Sequence, residues 1–191
     1  MDTEFEATFL NINKDEVRAR LKKAGAKLIY PEFLQTRAVF NLPKGHEIKG
    51  GWLRVRQEFD KITMSLKVVA GGKIEDQKEI CLKVDNFEKA VELLESIGCE
   101  KKSFQESKRE KWDLRGAEVV IDKWPYVEPY VEIEAESEEK VKAVSRELGF
   151  DYTKAYFGSL DGIVAQKYGI SCDRINNHTP LITFAGKNPF V

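Results

Sequence analysis

The feature that most constrains this chain is a two-residue alternation whose polar member is often charged, with like charges set two residues apart in several segments. Side chains along a strand point alternately to its two faces. Over residues 3–10, Glu4, Glu6 and Thr8 share one face and Phe5, Ala7 and Phe9 the other. Over 52–58, Arg54 and Arg56 oppose Leu53 and Val55. Over 62–68, Thr63, Ser65 and Lys67 oppose Ile62, Met64, Leu66 and Val68. Over 79–84, Glu79, Cys81 and Lys83 oppose Ile80, Leu82 and Val84; over 130–135, Glu132 and Glu134 oppose Val131, Ile133 and Ala135. For any one strand, a half-buried sheet with a wet polar face explains such a pattern. A wet face normally mixes signs. Here Glu4/Glu6, Arg54/Arg56 and Glu132/Glu134 set like charges two residues apart, where they repel. Segregated acidic and basic strands suit a face that binds a polyanion together with cations. If the sheet closes with that face inward, it encloses a charged tunnel, with helices covering its apolar outside.

The rest of the chain is consistent with an antiparallel, closed sheet. The spacing predicts strands over 3–10, 33–42, 50–59, 61–70, 74–84, 103–114, 116–123 and 129–136, about eight in all. Asp60-Lys61 and Gly71-Gly72 mark turns. Helices are predicted over 13–24 after the N-cap Asn13, over 86–97, and over 137–148 after the N-cap Ser137, with Gly25, Gly98 and Gly149 just past their ends. A further helix is expected near 158–168, followed by a less regular, Pro-containing tail. Most neighbouring strands lack the long crossovers that parallel pairing requires. The expected class is therefore α+β: a closed antiparallel barrel with helices packed outside, one domain over 1–191 with a tail from about 161.

Composition excludes several alternatives. The 191 residues carry 31 Lys+Arg and 32 Asp+Glu, a net charge of -1, unlike a general nucleic-acid coat protein. No apolar stretch reaches the roughly 20 residues that span a bilayer. The acidic N-terminus has no signal-peptide pattern. Cys81, Cys99 and Cys172 are an odd count without paired spacing, which fits a reducing cytoplasm. His46 and His178 have no partner at zinc-ligand spacing. No Gly-rich phosphate loop is present; Gly50-Gly51 and Gly71-Gly72 read as turn glycines. The expectation is a cytoplasmic protein with no nucleic-acid or membrane partner.

Glu4-Phe5-Glu6-Ala7-Thr8 resembles the N-terminal E-x-E-x-K signature of the CYTH superfamily, the triphosphate tunnel metalloenzymes. That superfamily includes thiamine triphosphatases, class IV adenylyl cyclases and inorganic triphosphatases. Further matches follow in order: Trp52-Leu53-Arg54-Val55-Arg56, Ser65-Leu66-Lys67, Lys78-Glu79-Ile80, Lys108-Arg109-Glu110, Val120-Ile121-Asp122, Val131-Glu132-Ile133-Glu134 and Tyr152-Thr153-Lys154. The resemblance covers roughly residues 3–160. It implies that Glu4, Glu6, Glu132 and Glu134 hold Mg²⁺ or Mn²⁺, with Asp122 and Glu79 assisting. It implies that Arg37, Arg54, Arg56, Lys67 and Arg109 bind phosphate oxygens, with Lys154 as a further basic group. Glu4, Glu6 or Glu134 would orient a water. A metal-dependent triphosphate hydrolase is the expected activity. A class IV adenylyl cyclase and a non-catalytic polyphosphate-binding tunnel are the alternatives, and a homodimer is an open expectation. Two positions depart from the family pattern: Thr8 and Ser107 stand where basic residues are usual, each removing a positive charge.

Other polar groups have simpler readings. Glu88, Glu92, Glu95 and Lys89 form a solvated helix face. Glu136, Glu138 and Glu139 enrich the first turn of a helix. Lys101-Lys102 and Lys108-Arg109 are too short for a nucleic-acid patch. Trp52, Trp112 and Trp124 are large enough to stack on a ring, although packing in a core or rim explains each one.

Overall fold

The structure, a computed structural model, describes residues 1–191. Its N-terminal strand is broken in two at Glu4, giving β1 (Asp2–Thr3) and β2 (Phe5–Phe9). Helix α1 (Lys14–Lys23) follows, its N-cap Asn13 accepting hydrogen bonds from the backbone N–H groups of Asp15 and Glu16 at 2.9 and 3.2 Å. The wall continues with β3 (Lys27–Asn41), β4 (Gly51–Gln57), β5 (Ile62–Val69) and β6 (Gln77–Val84). Next come α2 (Phe87–Ser96), β7 (Glu100–Leu114), β8 (Ala117–Lys123), β9 (Tyr130–Ala135) and α3 (Glu138–Glu147). The chain ends with α4 (Leu160–Tyr168), α5 (Cys172–Asn177) and β10 (Leu181–Ile182).

The strands form one ladder in the order β1-β6-β5-β4-β3-β7-β8-β9-β2, with β10 beside β7. Every pair in the ladder is antiparallel. Its two ends, β1 and β2, are consecutive in the chain, so the sheet returns to its own start as a nearly closed barrel. Counted once, that split strand gives the wall the eight strands expected from the alternation. The break is bridged by the Glu4 N–H donating to the Gln77 carbonyl at 3.0 Å and by Gln77 Nε2 donating to the Glu6 carbonyl at 2.9 Å. Closure removes the unpaired edges that a flat sheet would expose.

The apolar faces point outward and are covered unevenly. Val17 and Leu21 of α1, with Val141 and Val144 of α3, pack on Ala7, Phe9, Trp112, Val119, Val131 and Ile133. On the other side, Ala90 and Leu94 of α2 cover Ala38, Phe40 and Val55. Helices pack outside the barrel as expected, but the outer face of β6 stays bare, with Ile80 and Leu82 44% and 54% exposed. No helix of the molecule is long and apolar enough to cross a membrane.

Three boundaries differ from the sequence reading. Strand β3 begins at Lys27 rather than 33, because register shifts around Leu28, Tyr30 and Phe33 destroy the two-residue period there. Residues 74–76 form a single 3₁₀ turn before β6 rather than part of the strand. The tail is more regular than expected. It contributes α5 and a parallel pairing of Leu181-Ile182 with Phe104-Gln105.

Candidate functional site

The inward faces of the barrel strands line one cavity of about 650 Å³, within the usual range for small-molecule sites. Glu4, Glu6 and Thr8 enter it from the N-terminal strand, and Arg37 from β3. Arg54 and Arg56 enter from β4, Lys67 from β5 and Glu79 with Cys81 from β6. Arg109 enters from β7, Asp122 from β8, and Glu132 with Glu134 from β9. Lys154 does not join them. It follows β9 and α3 on an exposed turn, with its side chain 80% exposed and 3.8 Å from Asp151. Position in an ordered motif could not report that this turn faces solvent.

Most of the charges are paired across the cavity. Arg54 Nη2 donates to Glu79 Oε1 at 2.8 Å and Arg56 Nη2 to Glu58 Oε1 at 2.8 Å. Arg109 donates to Asp122 Oδ1 at 2.8 Å and to Glu132 Oε2 at 2.7 Å. Lys67 Nζ lies 2.9 Å from Glu4 Oε2 and 3.8 Å from Glu6 Oε1. Among the cavity arginines, Arg37 is the exception. It is 6% exposed, and its Nη2 donates only to the neutral Gln35 Oε1 at 2.9 Å and Ser107 Oγ at 2.7 Å. Its Nε has no acceptor, and its guanidinium lies 4.3 Å from the centre of the Trp124 ring. Burial, followed by repulsion from Arg56, Arg54 and Arg109, pushes Arg37 down to about 9; at neutral pH it is still a cation. Ser107 thus serves as a neutral acceptor beneath Arg37, where a basic side chain would add to the repulsion.

The carboxylates show the complementary strain. Burial, then Glu6 and Glu118, raise Glu134 to about 7. Glu132 is also raised, chiefly by burial and then by Glu6 and Asp122. Burial raises Glu4 as well, against the pull of Lys67. Its close neighbour Glu79 moves the other way. Burial alone would raise Glu79, but Arg54, hydrogen bonds and Lys67 outweigh it and hold the group low. Glu4 Oε2 is buried with no aligned hydrogen-bond donor, even though the Lys67 ammonium is near.

The donor chemistry of Glu4, Glu6, Glu132 and Glu134 fits a hard divalent cation, since all are carboxylates. Glu4 Oε2, buried and 2.9 Å from the Lys67 ammonium, is among the oxygens such a cation would draw on. These groups do not converge into a ready-made coordination shell; Lys67 lies 2.9 Å from Glu4 and 3.8 Å from Glu6. Asp122 and Glu79 are engaged by arginines, which places them beside the basic groups.

Several cavity residues escaped the sequence reading. Glu58 continues the Arg54/Arg56 alternation and was legible in principle. Lys102 was not. In the β3–β7 ladder Val39 pairs with Ser103 and Phe40 with Lys101, so Lys102 is the extra residue of a bulge. The bulge re-aims its side chain into the cavity. Tyr156, Asp161 and Asn176 reach the cavity from a loop and the tail, where no strand period applies; Trp124, weighed above as a ring-stacking or packing residue, also lines it.

Fold and site together define a class: an antiparallel barrel whose interior carries sorted basic and acidic side chains around a ligand-sized tunnel. The chain belongs to the CYTH domain family, whose pattern matches residues 4–164. Among solved structures it is similar to a Vibrio parahaemolyticus protein described as a candidate adenylate cyclase, at 13% identity and TM-score 0.73. That match covers 86% of this chain and 98% of the other. It is similar to a Pyrococcus horikoshii protein at 21% identity and TM-score 0.66, covering 80% and 93%. A third match, to a Hippeastrum candidate adenylyl cyclase described as having a dominant triphosphatase activity, has 13% identity and TM-score 0.55, covering 88% and 97%. These likenesses concern the fold. A search of curated proteins finds no significant match.

Proposed function

We propose that this chain is a divalent-metal-dependent hydrolase of a triphosphate. Arg37 carries the reading: a buried cation with no carboxylate partner and an orphaned Nε, facing a cavity with three other guanidiniums. Burying an unpaired charge is costly. A polyanion in the cavity offsets that cost, and arginine forks grip phosphate oxygens bidentately.

Arg37, Arg54, Arg56, Lys67 and Arg109 would hold the phosphate chain and stabilise charge on its oxygens as a phosphoryl bond breaks. Phosphates would take over the arginines, freeing Glu79 and Glu58 from their ion pairs. Glu4, Glu6 and Glu132 would hold the cation, with Asp122 keeping Arg109 in place. A bound Mg²⁺ or Mn²⁺ supplies Lewis acidity toward the phosphoryl oxygens. Glu134, raised to about 7, is suited to orient a water and accept its proton near neutral pH.

The test is incubation of the purified chain with tripolyphosphate, ATP and thiamine triphosphate, each with Mg²⁺, with Mn²⁺ and with EDTA. Metal-dependent phosphate release is expected. Cyclic AMP from ATP without phosphate release would replace hydrolysis with cyclisation, and binding without turnover would make the chain a sensor.

A further inference from the structure

The family pattern ends at residue 164, yet the cavity does not. Strand β7 pairs with β8 only from Lys108 onward. Before that point its free edge is occupied by β10, through Leu181-Ile182 against Phe104-Gln105. The tail is held there by a core of its own, in which Ile163, Val164, Ile175, Ile182 and Phe190 pack with Trp124, Val127 and Tyr130. The tail therefore forms a wall at this side of the cavity. Ile175, Asn176 and Ile182, beyond the family pattern, line it together with Tyr156, Asp161 and Ile163.

This end differs in kind from the rest of the cavity. Its lining is largely apolar, and its few polar groups are not paired as ions. Asp161 accepts from Asn176 Nδ2 at 2.7 Å and from Ser159 Oγ. The Asn176 side-chain oxygen has no partner within the chain. Lys102, turned inward by its bulge, forms no ion pair within 4 Å, although it lies within electrostatic reach of Asp161. Burial lowers its affinity for a proton.

Resting on the reading of the site as a triphosphate tunnel, we infer that Lys102, Asp161 and Asn176 form a subsite for the organic end of the substrate, a flat heterocycle of the nucleobase type. A ring carbonyl or ring nitrogen would accept from Lys102. An exocyclic amine would donate to Asp161 or to the Asn176 oxygen. The faces of the ring would pack on Ile163, Ile175, Ile182 and Tyr156. A bare tripolyphosphate leaves all of these groups unused. The tail thus makes the chain selective for a triphosphate ester over inorganic triphosphate.

Calorimetric titration of the full chain in Mn²⁺ with tripolyphosphate, thiamine triphosphate and the four ribonucleoside triphosphates tests this. At least one nucleoside triphosphate is expected to bind ten-fold or more tightly than tripolyphosphate. Lys102→Met and Asn176→Ala should each reduce that preference about ten-fold while changing the affinity for tripolyphosphate less than two-fold. Lys102→Gln and Asn176→Ser serve if the first pair melts early. Phe59→Ala, outside the cavity, is the control and should alter neither ligand. Tripolyphosphate binding as tightly as every nucleotide, or a Lys102 variant that weakens both ligands equally, overturns the subsite and leaves the triphosphate tunnel standing. Binding of no triphosphate at all overturns both.

Discussion

The two sides of the cavity handle charge differently. On the β7–β8–β9 side, Arg109 is held by Asp122 and Glu132, and Asp122 is 1% exposed. On the β3–β4 side, Arg37 is also buried, but it donates only to neutral acceptors and is repelled by the other guanidiniums. The first arrangement is satisfied within the chain. The second leaves a buried cation without a counter-charge. Two arginines on neighbouring strands thus differ in the free protein: Arg109 has its counter-charges within the chain, and Arg37 has no carboxylate partner.

Replacing each by methionine gives the sharpest contrast. Arg109→Met leaves a fully buried Asp122 without its counter-charge. A loss of about 3–5 kcal/mol in urea unfolding is expected, the range for breaking one partner out of a buried pair. Arg37→Met removes two hydrogen bonds to neutral groups but also relieves repulsion from Arg54, Arg56 and Arg109. Its cost in the free protein should stay below about 2 kcal/mol. Tripolyphosphate affinity in that variant should fall about ten- to hundredfold, corresponding to one charge-assisted contact of roughly 1.5–3 kcal/mol. Equal stability losses in the two variants would erase the distinction.

A smaller effect separates the sides by pH. Glu134 is raised to about 7 and Glu132 is raised as well, both chiefly by burial. A glutamate in the unfolded chain titrates near 4.3. Between those values the folded protein binds more protons than the unfolded one, so stability falls as pH rises. The metal-free protein should therefore be more stable at pH 6 than at pH 8.5, by on the order of 1–3 kcal/mol. Saturating Mn²⁺ favours the charged carboxylates and should flatten the trend, and Glu134→Gln should remove part of it. Calorimetric melting at the two pH values, in EDTA and in Mn²⁺, measures this. A metal-free protein that gains stability up to pH 8.5 would contradict the crowding of acids on β9.

The sides also differ in how much of them could be read from sequence. Strands β2, β4, β5 and β9 keep an unbroken two-residue period, so Glu6, Arg54, Arg56, Lys67, Glu132 and Glu134 were each placed on the inward face. The charge pattern was legible because the sheet closes without bulges along those segments. Strand β3 and the start of β7 contain register shifts, and a single shift reverses which face a residue occupies. Lys102 was hidden for that reason. Asp161 and Asn176 were hidden for another: they come from helices that meet the barrel through tertiary packing, which has no short-range signature. Lys154 illustrates the opposite error, since a motif match was extended into an exposed turn. The bare outer face at Ile80 and Leu82 was likewise unreadable, because alternation specifies a face and not what covers it.

The smallest expected effect concerns Thr8, which lines the cavity and pairs in register with Glu132. It stands on the acidic side, where the family pattern has a lysine. Thr8→Lys would place an ammonium beside Glu132 and near Glu6. In EDTA two terms act together: the new charge relieves carboxylate repulsion, and it can reach a phosphate. Part of its interaction is spent on Glu132, so the gain should be about 1 kcal/mol, below the usual range for a charged contact. That corresponds to roughly five-fold tighter tripolyphosphate binding. In Mn²⁺ the lysine competes with the cation for the same carboxylates, so the gain should vanish or reverse. Titrating both proteins with tripolyphosphate under the two conditions separates the terms. A five-fold gain that persists in Mn²⁺ would show that Thr8 lies on the phosphate path and away from the cation. No change in either condition would mean that the side chain at position 8 reaches neither, and that the acidic side is set by Glu4, Glu6, Glu132 and Glu134 alone.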